Sequence, residues 1–209
     1  MKDKDKHFNG TLEVTGTGRI VIAPDEATIE LSVLTEAKTA GEAVAANATL
    51  TQAVVDAVSG EPNHGVTTQG LNVGPIVEYS GNSSKIVGFR ASNGVDVKTK
   101  IGYAGQIFDA GIKAGANQSS GISFGLRDDS QIREDALRIA VKAAYSEARI
   151  VAKAAEIDIE GPESISIESG PGRIAFRAVA IDEAGPPTPV RPGDLTISAG
   201  VRIVFRTRA

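Results

Sequence analysis

The sequence predicts an α+β protein in which hairpin-rich, mostly antiparallel sheets pack against long alanine-rich helices. Residues 128–157 indicate one long helix, because Ala, Leu, Arg, Lys and Glu, the strongest helix formers, dominate it. Elsewhere, apolar and polar residues alternate in short stretches that mostly occur as neighbouring pairs, as in β-hairpins. Helices are predicted between such pairs rather than after each strand, which favours α+β over a doubly wound α/β sheet.

The helix at 128–157 is predicted to be buried on two sides. Asp128, Asp129 and Ser130 supply capping oxygens and negative charge at its start, and Gly161-Pro162 is expected to stop it. Its alanines allow another element to approach closely, and we expect Ala144 and Ala148 to be almost fully buried. Two apolar stripes lie side by side: Leu137, Ala140, Val141, Ala144, Ala148, Val151 and Ala155, then Ile139, Ala143, Ile150, Ala154 and Ile157.

The N-terminal region predicts two strands and a helix. Apolar residues alternate over 12–22 and again over 28–33, and the Ala-Pro-Asp-Glu turn between them suggests a hairpin. Thr39 and Glu42 have the spacing of a capping box, which marks the start of a helix. That helix is expected to end at Gly60.

The middle of the chain predicts a second pair of strands followed by a weak helix. The strands span 66–79 and 85–100, with bends expected at Gly74-Pro75 and Asn93-Gly94. The helix at 103–114 contains two glycines that lower its propensity, so packing must hold it in place.

The C-terminal part predicts three more strands besides the strand at 119–127. One begins at Ile165, one spans 174–181, and the last spans 195–206. Four of the nine prolines fall within 183–193, which cannot form regular structure.

Composition limits the class of protein. Of 209 residues, 41% are hydrophobic and 23% charged, as in an ordinary globular protein, and we predict a disordered polar tail at 1–10 and a single domain at 11–209. The net charge of −4 argues against nucleic-acid binding. No apolar run approaches about 18 residues, so no transmembrane segment is expected. The first ten residues do not resemble a signal peptide, which suggests either a cytoplasmic protein or a missing leader.

Catalytic and metal-binding chemistry finds little support in the sequence. The absence of cysteine excludes disulfides and thiolate chemistry, and neither His7 nor His64 has a partner at ligand spacing. Gly16-Thr17-Gly18 could cradle phosphate, but its position within a strand pattern favours a kink. Acidic pairs at 128–129 and 134–135 are better explained as charge compensation at a helix start. We therefore expect no enzyme activity, cofactor or metal.

Two features are candidate partner-binding sites. The first is a basic stripe on the long helix, suited to an acidic or phosphate-bearing partner, although a solvated helix face is the simpler explanation. The second is the proline-rich segment, which could be a polyproline ligand, an oligomer arm or a plain linker. The candidate residues are Arg138, Lys142, Arg149, Lys153, Pro186, Pro187 and Pro189.

Six stretches together resemble the SIMPL domain, or DUF541, family across residues 11–206. The resemblance implies a SIMPL-like fold and no set of catalytic residues. The family includes bacterial periplasmic immunogenic proteins and a eukaryotic adaptor associated with a signalling kinase, and members are linked to oxidative-stress protection. The stretches are VTGTGRIVIAPDEATIELSV, TTQGLNVGPIVEY, VGFRASNGVDVKTK, IFDAGIKAGANQSSGISFGLRD, VAKAAE and PVRPGDLTISAGVRIVFR.

Together these observations predict a non-enzymatic, self-assembling protein that acts through protein–protein interaction. The resemblance implies a periplasmic, stress-related role. Two alternatives stay open: a cytoplasmic signalling adaptor that uses the basic stripe or the proline-rich loop, and an unrecognised hydrolase. A homo-oligomer is expected because the second helix stripe, the sheet edges and the proline-rich segment all offer surfaces that need covering.

Overall fold

The computed structural model describes residues 9–81, 83–168 and 188–208, which form two compact units. Unit 1 holds 9–23, 128–168 and 194–208, and unit 2 holds 24–127 and 188–193 apart from residue 82. The single domain predicted at 11–209 thus contains two packing units. The elements are β1 Asn9–Ile22, β2 Glu26–Ala37, α1 Ala40–Ser59, β3 Gly65–Ser80, β4 Ser83–Thr99, α2 Ala104–Ala114, β5 Gln118–Gly125, α3 Ser130–Ala154, β6 Asp158–Glu168 and β7 Leu195–Arg208.

The α+β class and the order of elements are confirmed. Two parts of the prediction fall on residues that the structure does not describe, namely the strand at 174–181 and most of the polar tail. β1 already begins at Asn9, within the stretch predicted as a tail.

Unit 1 is a three-stranded antiparallel sheet in the order β1-β7-β6, packed against α3. β1 and β7 pair along their whole length, from Asn9 opposite Arg208 to Ile22 opposite Leu195. The predicted hairpin between the first two strands is therefore wrong. β2 belongs to the other sheet, where β4 and β5 already occupy both of its edges.

The contact between β1 and α3 depends on small residues. A Cβ atom at Gly16 would collide with the carbonyl oxygen of Ala140, and one at Gly18 with that of Ala136. The glycines predicted as a strand kink are therefore the places where the helix backbone lies directly on the strand. Ala144 and Ala148 are fully buried, as predicted. The rest of this core is Val14, Ala140, Val201, Ile203 and Phe205.

The second apolar stripe of α3 is not buried, so the prediction of burial on two sides is wrong. Ile139 and Ile150 are 43% and 67% exposed, because the sheet covers only the line of alanines that fits against β1. The helix also ends before Gly161-Pro162, at Ala154, and the chain turns at Glu156 with a φ of 55°.

β6 begins at Asp158, earlier than predicted, and contains Gly161 and Pro162. It lies at the sheet edge, and its pairing with β7 is irregular around both residues. Proline is tolerated at edges and bulges because it lacks a backbone donor for the ladder.

Unit 2 is a four-stranded antiparallel sheet in the order β3-β4-β2-β5, with α1 and α2 packed on one face. Asn93 and Gly94 lie inside β4, as predicted, but they pair regularly with β2, so no bulge interrupts that pairing. The irregularities of β3 lie between Gln69 and Asn72 and at Ile76–Val77, so the bend predicted at Gly74-Pro75 is wrong.

The two helices of unit 2 are stabilised differently, α1 by a capping box and α2 by close packing on β2. The predicted capping box of Thr39 and Glu42 starts α1, which ends at Ser59 as expected. α2 approaches β2 so closely that a Cβ atom at Gly111 would collide with the side chain of Leu31. The glycine that weakens this helix therefore permits the packing that holds it.

Candidate functional site

The four basic residues predicted as a partner site lie along one side of α3, and all are exposed: Arg138, Lys142, Arg149 and Lys153. Arg138 is already engaged, since its Nη2 and Nε lie 2.5 and 3.1 Å from Oε1 of Glu134, one turn earlier. This hydrogen bond raises the pKa of Arg138 above its ordinary value. The part of the stripe that is available to a partner is therefore towards the end of the helix.

Arg149 and Lys153 line a cleft between the end of α3 and the start of β6, with a volume of about 520 Å³. Tyr145 and Phe205 also line it and meet edge to face, with ring centroids 5.1 Å apart and planes at 80°. Neither basic residue has an ion-pair partner among the described residues.

Two acidic residues at the start of β6, Asp158 and Glu160, also line this cleft. Oε1 of Glu160 lies 3.7 Å from Nη1 of Arg208. The cleft therefore presents apolar side chains together with both signs of charge, and Arg149 and Lys153 are its groups suited to an acidic partner.

The edge strand β6 of unit 1 carries two exposed isoleucines, Ile165 and Ile167. Ile165 lies opposite Ile203 and Ile167 opposite Val201, and directly opposed residues share one face of a sheet. Ile203 and Val201 are fully buried, whereas Ile165 and Ile167 are 54% and 58% exposed. The apolar face thus extends past the cover that α3 provides. Among the described residues, β6 has a strand partner on one side only.

The proline-rich segment is partly docked rather than projecting. Thr188 donates hydrogen bonds from N and Oγ1 to the carboxylate of Asp109 on α2, at 3.0 and 2.6 Å. The carbonyl oxygen of Thr188 lies where a Cβ atom of Gly105 would be, and Val190 packs into the unit 2 core. We call 188–190 the strap. Within the strap, the candidate Pro189 is exposed, while the candidates Pro186 and Pro187 lie outside the described residues.

The described residues do not provide the kind of ligand set that metal ions require. None of their His, Asp or Glu side chains form a set of three that could hold a metal ion. His64 instead pairs with Glu26, with Nδ1 3.2 Å from Oε1. Sequence spacing could not reveal this pair, because its members lie on separate elements of unit 2.

The acidic residues before α3 act locally, but the N-cap residue Asp129 makes no side-chain capping hydrogen bond, contrary to the prediction. Asp129 pairs with Arg133, with Oδ2 and Nε 2.5 Å apart. Hydrogen bonds from Ser130, chiefly from its side chain, lower the pKa of Asp128.

These features define an α+β protein with exposed apolar and basic surfaces that fit partner binding. The chain belongs to the SIMPL family, described as a protein of unknown function (DUF541), with the match covering residues 12–205. The resemblance noted from the sequence is thereby confirmed, and the match spans both units.

The chain is similar to two proteins named 26 kDa periplasmic immunogenic protein, from Brucella melitensis biotype 1 and Brucella abortus strain S19. It is 28% identical to each over 211 residues, which cover 94% of this chain and 84% of each relative. In the part of the chain that the structure describes, no helix has the length and apolarity needed to cross a membrane.

Proposed function

We propose that the protein is a non-enzymatic component of the cell envelope that self-assembles and acts through protein–protein contacts. The observation that carries the proposal is the β6 edge, where Ile165 and Ile167 are exposed on an otherwise buried face. An edge with no second strand partner among the described residues is a template for pairing with another strand.

The sequence of the edge favours pairing. Residues 163–168, Glu-Ser-Ile-Ser-Ile-Glu, contain neither of the residues, lysine and proline, that commonly protect edges. Antiparallel pairing of β6 with β6 of a second copy would give one continuous sheet and place the isoleucines of both copies together. Such a contact is isologous, as in most two-fold dimers.

The exposed side of α3 adds to the surface available for assembly. Ile139, Ile150 and Val151 lie on it and are all exposed. Apolar surface beyond a few hundred Å² commonly marks an interaction site, and stable interfaces bury about 1,000 Å² or more in total.

Light scattering over a concentration series tests the assembly. We expect a mass that is a multiple of 21.6 kDa, and a return to 21.6 kDa when Ile165→Lys and Ile167→Lys are combined. The matched control is Val21→Lys, which changes a similarly exposed residue on β1 and should leave the assembly intact. A wild-type mass of 21.6 kDa at every concentration would refute the proposal.

The location in the envelope is supported by the name of the two relatives, which describes them as periplasmic. The family resemblance adds a stress-related role. Osmotic-shock fractionation of cells that express the native gene tests the location. Recovery in the cytoplasmic fraction would favour the adaptor hypothesis instead.

A second candidate function is recognition of an acidic partner through the cleft beside Arg149 and Lys153. We expect a peptide with alternating Glu and Leu to shift the NMR signals of the cleft residues. Arg149→Glu should abolish these shifts, whereas Arg138→Glu should retain them, since Arg138 is already paired with Glu134. Equal loss in both variants would show nonspecific attraction only.

A further inference from the structure

The hairpin of β3 and β4 extends beyond the rest of its sheet. β2 stops pairing with β4 at Phe89, so residues 83–88 pair with β3 alone. We call 76–80 and 83–88 the arm. A two-stranded ribbon is at best marginally stable alone in water, so an arm of this length gains from a partner.

The arm has one apolar face and one face that carries its charged pair. Val77 lies opposite Ile86, and the next position on the same face holds Tyr79. Tyr79 and Ile86 are 78% and 55% exposed. On the other, more polar face, which also carries Ile76, Glu78 lies directly opposite Lys85, an arrangement of opposite charges that stabilises the ribbon.

The chemistry of the arm disfavours a lipid surface. Its tip, Ser-Gly-Asn-Ser-Ser at 80–84, is polar, whereas a tip that enters a bilayer would be apolar. Its only cation is Lys85, while binding to anionic lipid uses clusters of lysine and arginine. The apolar residues lie on the shank of the ribbon, where a second protein surface can pack along them.

We propose that the apolar face of the arm docks on the same face of the arm of a second copy. This inference rests on the proposed self-assembly and adds a contact in unit 2 that is separate from β6. The charges of Glu78 and Lys85 cancel, so two arms do not repel one another although each chain carries a net charge of −4. In a two-fold contact, Val77, Tyr79 and Ile86 of each copy face those of the other.

The area that two arms can bury indicates whether the contact is stable by itself. Five residues in one strand and six in the other give a ribbon about 20 Å long and 10 Å wide, so two arms bury roughly 400 Å² in total. This is well below the 1,000 Å² or so of a stable interface. Arm docking therefore occurs within an assembly that the β6 edge also holds, and not in isolation.

Single cysteines test the contact, because the chain contains no other thiol. Tyr79→Cys and Ile86→Cys place the thiol on the apolar face, and Glu78→Cys, the matched control, places it on the polar face. With a short bis-maleimide, we expect several-fold more covalent dimer from at least one of the first two variants than from the control. Combining each with Ile165→Lys and Ile167→Lys should reduce that yield to the level of the control.

A second measurement avoids cysteine chemistry. Tyr79→Ser should weaken the assembly about tenfold or more in a dilution series, since truncating a central aromatic of an interface has effects of this size. Val73→Ser changes an exposed residue of the same hairpin outside the arm and should have no measurable effect.

The outcomes separate the two proposals. A monomeric wild type overturns both the self-assembly and the arm contact. An intact assembly in which all three cysteine variants react equally, or in which Tyr79→Ser has no effect, overturns the arm contact alone. Cross-linking that depends on added lipid vesicles would assign the arm to a membrane instead.

Discussion

At the scale of single residues, two glycines of β1 determine how closely α3 packs. The carbonyl oxygen of Ala136 occupies the space of a Cβ atom at Gly18, and backbone cannot move aside as a side chain can. We expect Gly18→Ala to lower the free energy of unfolding by about 3 kcal/mol or more, since the helix must shift to admit a methyl group. Urea denaturation measures the change.

A matched control for this substitution is Gly41→Ala. Gly41 lies in the first turn of α1, and its Cβ would meet nothing within 4 Å. Alanine also favours a helix, so this change should be neutral or stabilising by up to about 1 kcal/mol. Equal destabilisation by both substitutions would contradict the close contact between β1 and α3.

Asn47 is a second residue whose role depends on its surroundings. It is fully buried in α1, where its Nδ2 donates to the carbonyls of Val33 and Ala91 at 2.8 and 3.1 Å. Asn47→Ala removes both bonds and leaves buried acceptors without a donor, so we expect a loss of about 2–3 kcal/mol. Thr49→Ala, on the exposed side of α1, should change stability by less than about 0.5 kcal/mol.

The importance of Asn47 could not be read from the sequence. An isolated asparagine in a helix usually faces water, and the two carbonyls that it reaches lie on separate strands. The capping box of Thr39 and Glu42 was predictable because both of its hydrogen bonds are local. Hydrogen bonds between residues that are close in the sequence could therefore be predicted, whereas hydrogen bonds to a distant partner could not.

At the scale of elements, the strap holds a helix of low intrinsic stability. α2 contains glycine at positions 105 and 111, and Asp109 accepts two hydrogen bonds from Thr188. We expect Asp109→Ala to increase hydrogen exchange throughout α2 without affecting α1. Lys113→Ala, on an exposed position of the same helix, is the control. Unchanged exchange in the Asp109 variant would show that core packing alone holds α2.

The long helix shows what a periodic pattern can and cannot predict. Its position and the burial of Ala144 and Ala148 followed from composition and spacing. The exposure of Ile139 and Ile150 did not, because a pattern shows that a side is apolar but not whether the chain has an element to cover it. The same limit applies to Ile165 and Ile167 of β6.

The basic stripe was predictable from the sequence, whereas the cleft beside it was not. The spacing of Arg138, Lys142, Arg149 and Lys153 predicted a shared side of one helix. It could not show that Glu134 engages Arg138, or that Tyr145 and Phe205 meet beside Arg149. The role of the four basic residues as a partner-binding site stays a prediction.

At the scale of the whole molecule, the C-terminal strand is the centre of a sheet. β7 lies between β1 and β6, which have no other strand partner among the described residues. A chain that ends at Gly193 should therefore lose exchange protection in β1, β6 and α3 while β2 and β4 stay protected. A chain that ends at Arg208 is the control. Retained protection of β1 in the shorter chain would contradict this arrangement.

The pairing of β1 with β7 was mispredicted because neighbouring strands usually pair with each other. A hairpin between the first two strands was the simplest reading of the turn at Pro24. However, β2 has buried alternating residues and neighbours on both sides, a position that leaves no edge for β1. No local signal in the sequence distinguishes these two arrangements.

The full-length pairing of β1 with β7 also has a consequence for the order of events during biosynthesis. β1 depends on β7, which leaves the ribosome after every other described strand, so the sheet of unit 1 cannot close until β7 has been made. Joining such distant segments costs little extra free energy, because loop entropy rises by only about 0.6 kcal/mol per doubling of length. It does cost time, since non-local pairing slows folding. Until β7 has been made, β1 is an unpaired strand that must be kept from other partners.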